Sequence, residues 1–223
     1  MNKNLLFEAI LKFLLGVLLL ALLLFIPAGT IKWFNGLLFM ALLFIPMFIA
    51  GIIMYLKAPD LLRNRLNAKE KQATQKDVIN YSGLLFIISF IIAGLNYRYN
   101  WIKLPGIVVT ISCIIFLLSY LLFAEVLREN AYLSRTIEVK ENQKVVDTGL
   151  YGIIRHPMYT ASIFLFLSMP LILNSLFSFI IMLIYIPLII KRINNEEEVL
   201  EKELIGYKEY KEKTKNRLVP FIY

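Results

Sequence analysis

The stretch LLFEAILKFLLGVLLLALLLFI, residues 5–26, is apolar along its whole length except at Glu8 and Lys12. About 30 Å of hydrocarbon takes roughly 20 apolar residues to cross as a helix, and this run has them. Both charges lie near one end, within reach of lipid headgroups. The run is too long and leucine-rich for the apolar core of a secretory signal, and no small-residue cleavage site follows it, so it reads as a retained membrane helix. Working outward, residues 33–56 form a second span, with Trp33 and Tyr55 as interfacial anchors at its ends and Pro46 as a point where it can kink. Residues 81–95 form a third, short by the same measure, and residues 104–127 a fourth that carries Glu125 near its end. Beyond the polar stretch 128–155, two short apolar runs, 159–173 and 176–190, flank Asn174 and Ser175 and read as a helical hairpin, shallow or tilted.

The composition agrees: 59% of the 223 residues are hydrophobic, only 18% are charged, and the mean hydropathy is +0.68. The expected fold is all-α, a polytopic transmembrane helical bundle of five to six membrane helices. Of the 24 Lys and Arg, two fall at the start, and the successive connections carry one, six, two, five, none and eight. By the positive-inside rule the heavily basic segments, 57–80, 128–155 and the tail after Ile190, face the cytoplasm, and six crossings of the cell membrane with both termini inside fit best. A net charge of +8 raises the question of nucleic acid, but the basic residues collect beside membrane ends among 16 acids, so anionic headgroups are the expected partner and nucleic acid is not. The single cysteine, Cys113, lies inside the fourth run, which leaves no disulfide pair; no metal-ligand spacing appears, and no metal is expected.

The chemistry-bearing residues collect in two places. VVDTGLYGIIRHPMYTAS, residues 145–162, holds the only histidine, His156. Pro157 favours an extended or turn conformation at His156 and suits the first turn of a helix beginning near Met158. That geometry brings the Arg155, His156 and Tyr159 side chains to one helix N-terminus, whose free N–H groups also favour an anion. The second cluster, in the tail after residue 190, continues as a helix on which Arg192 and Glu196, and Glu197 and Glu201, share a side. Its carboxylates can accept hydrogen bonds from hydroxyls or an ammonium group. Plainer readings stand beside these: His156 as a helix-start residue, Arg155 and Arg192 as topology determinants, Glu196–Glu198 as a solvated face, and Tyr207 and Tyr210 as packing or interface anchors.

Two blocks, REN, SRTIEV and VVDTGLYGIIRHPMY from Arg128, then RINNEEEVLEKELIGYKEYKEKTKNRLVPFIY, resemble the isoprenylcysteine carboxyl methyltransferase family of integral membrane enzymes, related to the phospholipid N-methyltransferases. PDLLRNR, residues 59–65, resembles a cytoplasmic segment of many members. The resemblance implies residues 1–127 as amino-terminal membrane helices and 128–223 as a catalytic part with a cytoplasmic pocket for S-adenosylmethionine. His156, Pro157 and Tyr159 would line that pocket and Glu196 and Glu197 would contact the cofactor, with Asn130 as a further contact and Arg155, His156 and Arg217 as catalytic residues. Leu150 stands where the family often has proline and Ala161 where it often has glycine, which touches pocket shape without removing a polar group.

The activity so implied is methyl transfer to a lipid-like, prenylated or otherwise membrane-dissolved substrate. In-line displacement at a sulfonium asks the protein for alignment and exclusion of water. A carboxylate acceptor needs no base, and Arg155 or Arg217 would orient it; an amine needs one, such as His156 or Glu197. A sterol-type membrane reductase using NADPH in a similar cleft is the second reading, and a non-catalytic membrane scaffold the third.

Overall fold

The computed structural model describes residues 3–67, 73–130, 132, 139 and 143–220. Within these, the apolar runs become helices: α1 (Lys3–Ala28), α2 (Phe34–Lys57), α4 (Ala73–Tyr99) and α5 (Gly106–Glu129), with the short α3 (Pro59–Asn67) between the second and third. Then come α6 (Pro157–Ile172), α7 (Leu176–Met182), α8 (Tyr185–Glu203) and α9 (Tyr207–Lys213). The described residues contain no strand. Five stretches among them are long and apolar enough to cross a membrane: α1, α2, most of α4, α5, and α7 continued into α8; the apolar α6 is shorter. The motif residues 134–138 and 221–223 lie outside the described residues.

Helix α4 is the axis of the bundle. It packs against α1 on one side and α7 and α8 on the other, while α5 lies along α6. Its meeting with α1 depends on Gly94, where a Cβ would sit 2.7 Å from the Leu24 carbonyl oxygen. Small residues let helix backbones approach in this way where lipid supplies no hydrophobic drive. The main apolar core, with Leu24, Trp33, Phe39, Phe90, Phe116 and Ile172, joins α1, α2, α4, α5 and α6. Outward, α1 presents Leu14, Leu15, Leu18 and Leu19, each more than half exposed, as a lipid-facing side does.

Three expectations change. Trp33 does not face outward as an anchor: it is 1% exposed and stacks on Tyr97 at 5.1 Å. The third span is not confined to 81–95, because polar residues at both ends of α4 have distant partners. Gln75 Nε2 donates to Asn195 Oδ1 at 2.5 Å, and Asn96 Nδ2 donates to the Ile102 and Asn174 carbonyls, both at 3.0 Å. The hairpin turns at Asn174, in the left-handed region at φ 60°, and at Ser175, whose hydroxyl accepts the Ser178 amide to cap α7. Its second arm is broken after Met182, since Pro187 has no N–H to give the Leu183 carbonyl, and it then runs as α8 past residue 190 to Glu203. That extension carries the acidic cluster back to the end of the bundle where α6 begins.

Candidate active site

Helix α6 starts with proline at its first position, where a missing N–H costs nothing, and His156 is the residue just before it. The tail holds this corner by its backbone. Arg155 N donates to the Asn216 carbonyl and His156 N to the Arg217 carbonyl, both at 2.9 Å, and Thr160 Oγ1 donates to the Leu218 carbonyl at 2.8 Å. On the far side, Gly149 takes φ +56° against the end of α5, so close that a Cβ would lie 2.0 Å from Glu129 Oε1. The same carboxylate accepts the Leu150 amide at 2.9 Å, tying the turn Gly149–Gly152 to α5.

Glu197 is the centre of a buried charge cluster. It is 2% exposed, and Arg155 and His156 beside it are 6% and 5% exposed. Its Oε1 accepts from Arg155 Nε at 2.8 Å and lies 3.1 Å from His156 Nε2; its Oε2 accepts from Arg217 Nη2 at 2.9 Å, with Lys211 Nζ at 3.5 Å. A carboxylate only accepts, so the imidazole presents Nε2–H to it, which leaves Nδ1 as the atom turned to other partners. Arg155 Nη1 also donates to the Thr214 and Lys215 carbonyls at 2.8 and 2.7 Å, and Arg217 Nη1 to Asn194 Oδ1 at 2.9 Å.

One residue back on α8, Glu196 points elsewhere, because neighbours on a helix are turned about 100° apart. It accepts a hydrogen bond from the Tyr159 hydroxyl, which in turn accepts from Arg192 Nε at 2.9 Å. Glu196, Tyr159 and Arg192 wall a cavity that also borders Arg155, His156 and Asn130. Of the residues singled out from the sequence, Asn130, Arg155, His156, Tyr159 and Glu196 line this space; Pro157, Glu197 and Arg217 lie behind it and brace it.

Three tyrosines complete the wall: Tyr151, Tyr207 and Tyr210. Tyr151 accepts from Asn130 Nδ2 at 3.0 Å, and burial pushes its phenol up to about 12. Tyr210 OH donates to the Tyr151 carbonyl at 2.7 Å. Tyr207 is 4% exposed, and its hydroxyl finds no hydrogen-bond partner among the described residues. Burial first, then the Glu197 and Glu196 carboxylates, hold its phenol far above the ordinary value, so it remains an O–H donor. Two of these rings read from sequence as packing anchors. That packing role holds, since both join Val126, Tyr151 and Leu204 in one buried cluster, and their spacing of three in an otherwise charged tail, on the inward side of α9, brings both to the cavity as well.

Residues 107–205 match the family model described as phospholipid methyltransferase. No curated protein matches the chain. The matched stretch takes in α5, RHPMY, the hairpin and the paired glutamates, and ends before α9 and Arg217. That family is related to the isoprenylcysteine carboxyl methyltransferases, so the match and the resemblance in the motifs lead to one place. With the five apolar helices it makes the chain an integral membrane protein and implies membrane methyltransferase activity.

Proposed function

We propose that this chain, with its phospholipid methyltransferase domain over residues 107–205, transfers a methyl group from S-adenosylmethionine to a lipid-like or prenylated acceptor dissolved in the bilayer. One coincidence carries the reading: the matched stretch contains both RHPMY and the Glu196 turn of α8, and these two elements meet on the cavity wall, joined by the hydrogen bond from Tyr159 to Glu196. The wall suits an adenosyl amino acid. Tyrosine rings offer flat faces to a purine, and the Glu196 carboxylate offers an acceptor to ribose hydroxyls or an ammonium.

Glu196, Tyr159, His156 and Asn130 would hold the cofactor, with Pro157 setting the turn that presents them. When bound, S-adenosylmethionine supplies a methyl carbon made electrophilic by a positively charged sulfur. The chain's own task is then alignment and exclusion of water. Glu197, Arg155 and Arg217 act as positioning residues, since their charged groups are directed at one another and at main-chain carbonyls. They orient the imidazole through its Nε2; with an amine substrate Nδ1 of the neutral ring would take the proton, and with a carboxylate no base is used. The basic connections at this end of the bundle support a cytoplasmic cavity in the cell membrane, fed by soluble cofactor from one side and by acceptor from the bilayer.

The test is isothermal titration of S-adenosylhomocysteine and, separately, NADPH into detergent-purified protein, with His156→Ala and Glu196→Ala alongside. Binding of the homocysteine compound by the wild type, weakened tenfold or more in both variants, is expected. NADPH binding alone would move the chain to the reductases, and a folded protein that takes neither would be a scaffold.

A further inference from the structure

We infer that the Tyr207 hydroxyl is a ligand-binding donor in the cavity, engaging a neutral acceptor on the adenosine part of the cofactor; this rests on the methyl-transfer reading above. Three observations lead to it. Tyr207 lines the cavity together with His156 and Tyr159. The residue is 4% exposed, so bulk water does not satisfy the hydroxyl, and no described residue does either. A buried, unsatisfied polar group in a native fold calls for an explanation, and on the wall of a binding cavity the simplest is a group that arrives with the ligand.

Its neighbour shows what a purely structural tyrosine looks like here. Tyr210, three residues on, with its ring centroid 5.7 Å away, has given its hydroxyl to the Tyr151 carbonyl. The two side chains share a helix, a degree of burial and a cavity, and differ in whether the O–H is already used. The phenol is kept protonated by its surroundings, which fixes its role as donor, and the nearby Glu196 and Glu197 carboxylates disfavour an anionic partner. A purine nitrogen or a ribose oxygen meets both conditions; the carboxylate of the amino-acid part does not.

The experiment measures two quantities on wild type, Tyr207→Phe and Tyr210→Phe: the melting temperature of ligand-free protein in detergent, and the affinity for S-adenosylhomocysteine by titration calorimetry. Tyr207→Phe keeps the ring and removes a hydroxyl that holds nothing in the protein, so its ligand-free melting temperature should equal or exceed that of wild type. Its affinity should fall about tenfold, the size of one lost hydrogen bond from a closed site. Tyr210→Phe should show the reverse emphasis, a lower melting temperature from the loss of its bond to the Tyr151 carbonyl. Undiminished affinity in Tyr207→Phe, as expected if the hydroxyl meets only an ordered water, overturns this inference and leaves methyl transfer standing. A melting temperature that falls as far as in Tyr210→Phe overturns it as well. If the wild type itself does not bind, both fall together.

Discussion

Helices α1 and α2 and the corner formed by α6, α8 and the tail sit in one chain but are held by opposite means. The first two bury very little of their apolar length, about 11% and 6% of the spanning windows, and make few polar contacts beyond their ends. The second region is a knot of buried charge, with Arg155, His156 and Glu197 all buried and the tail backbone bonded across them. In lipid, exposed leucine costs nothing, so α1 and α2 need only fit; a buried carboxylate is tolerable only when every partner is present. The difference teaches where the chain tolerates change and where it does not.

The comparison is broken most severely at Glu197. Glu197→Ala leaves Arg155, His156 and Arg217 facing one another without their common acceptor, and removing one partner from a buried ion cluster costs about 3–5 kcal/mol. Thermal unfolding should show a large drop, and S-adenosylhomocysteine binding should be lost with it, whereas Glu196→Ala should lose binding at a nearly unchanged melting temperature. If the two glutamate variants behave alike, the division of labour between them is wrong. A smaller effect is expected at the tight point of the other region. Gly94→Ala drives a methyl group to 2.7 Å from the Leu24 carbonyl, and overpacking of this kind costs about 1–3 kcal/mol, read as reduced thermal stability with cofactor affinity preserved. Least of all is expected at Leu18, 55% exposed on the outer side of α1: Leu18→Ala should stay within about 0.5 kcal/mol of wild type in detergent unfolding. A large effect there would mean that this side is covered by protein.

The same contrast explains what could be read in the sequence. α1, α2 and α5 were visible because in a bilayer an apolar run and a helix are nearly the same thing, and their ends fall within a few residues of expectation. α4 was cut short in the reading because Gln75 and Asn96 look like solvent residues until Asn195 and Asn174, far along the chain, arrive as partners. The corner at His156 was visible through the RHPMY pattern and the glutamate pair, which folding does bring within hydrogen-bond distance. What spacing did not reveal is that adjacent glutamates divide, one to the cavity and one to the ion cluster, since that depends on the rotation of α8 against α6. Trp33 was misread because an aromatic at the end of an apolar run fits an interfacial anchor and a buried stack equally well. The Tyr207 hydroxyl had no signal at all, because lacking a partner is a property of three-dimensional surroundings.

The backbone bonds from Arg155 and His156 to Asn216 and Arg217 also set an order of events in the cell. The five membrane-spanning stretches among the described residues all precede residues 214–218 in the chain, so they are made while the cluster around Glu197 is still short of Arg217 and of the Thr214 and Lys215 carbonyls. Assembly of the site is therefore post-insertional. A chain cut short before Thr214 would keep its apolar helices and yet lack Arg217 and the main-chain carbonyls that hold the Arg155 and Glu197 cluster together.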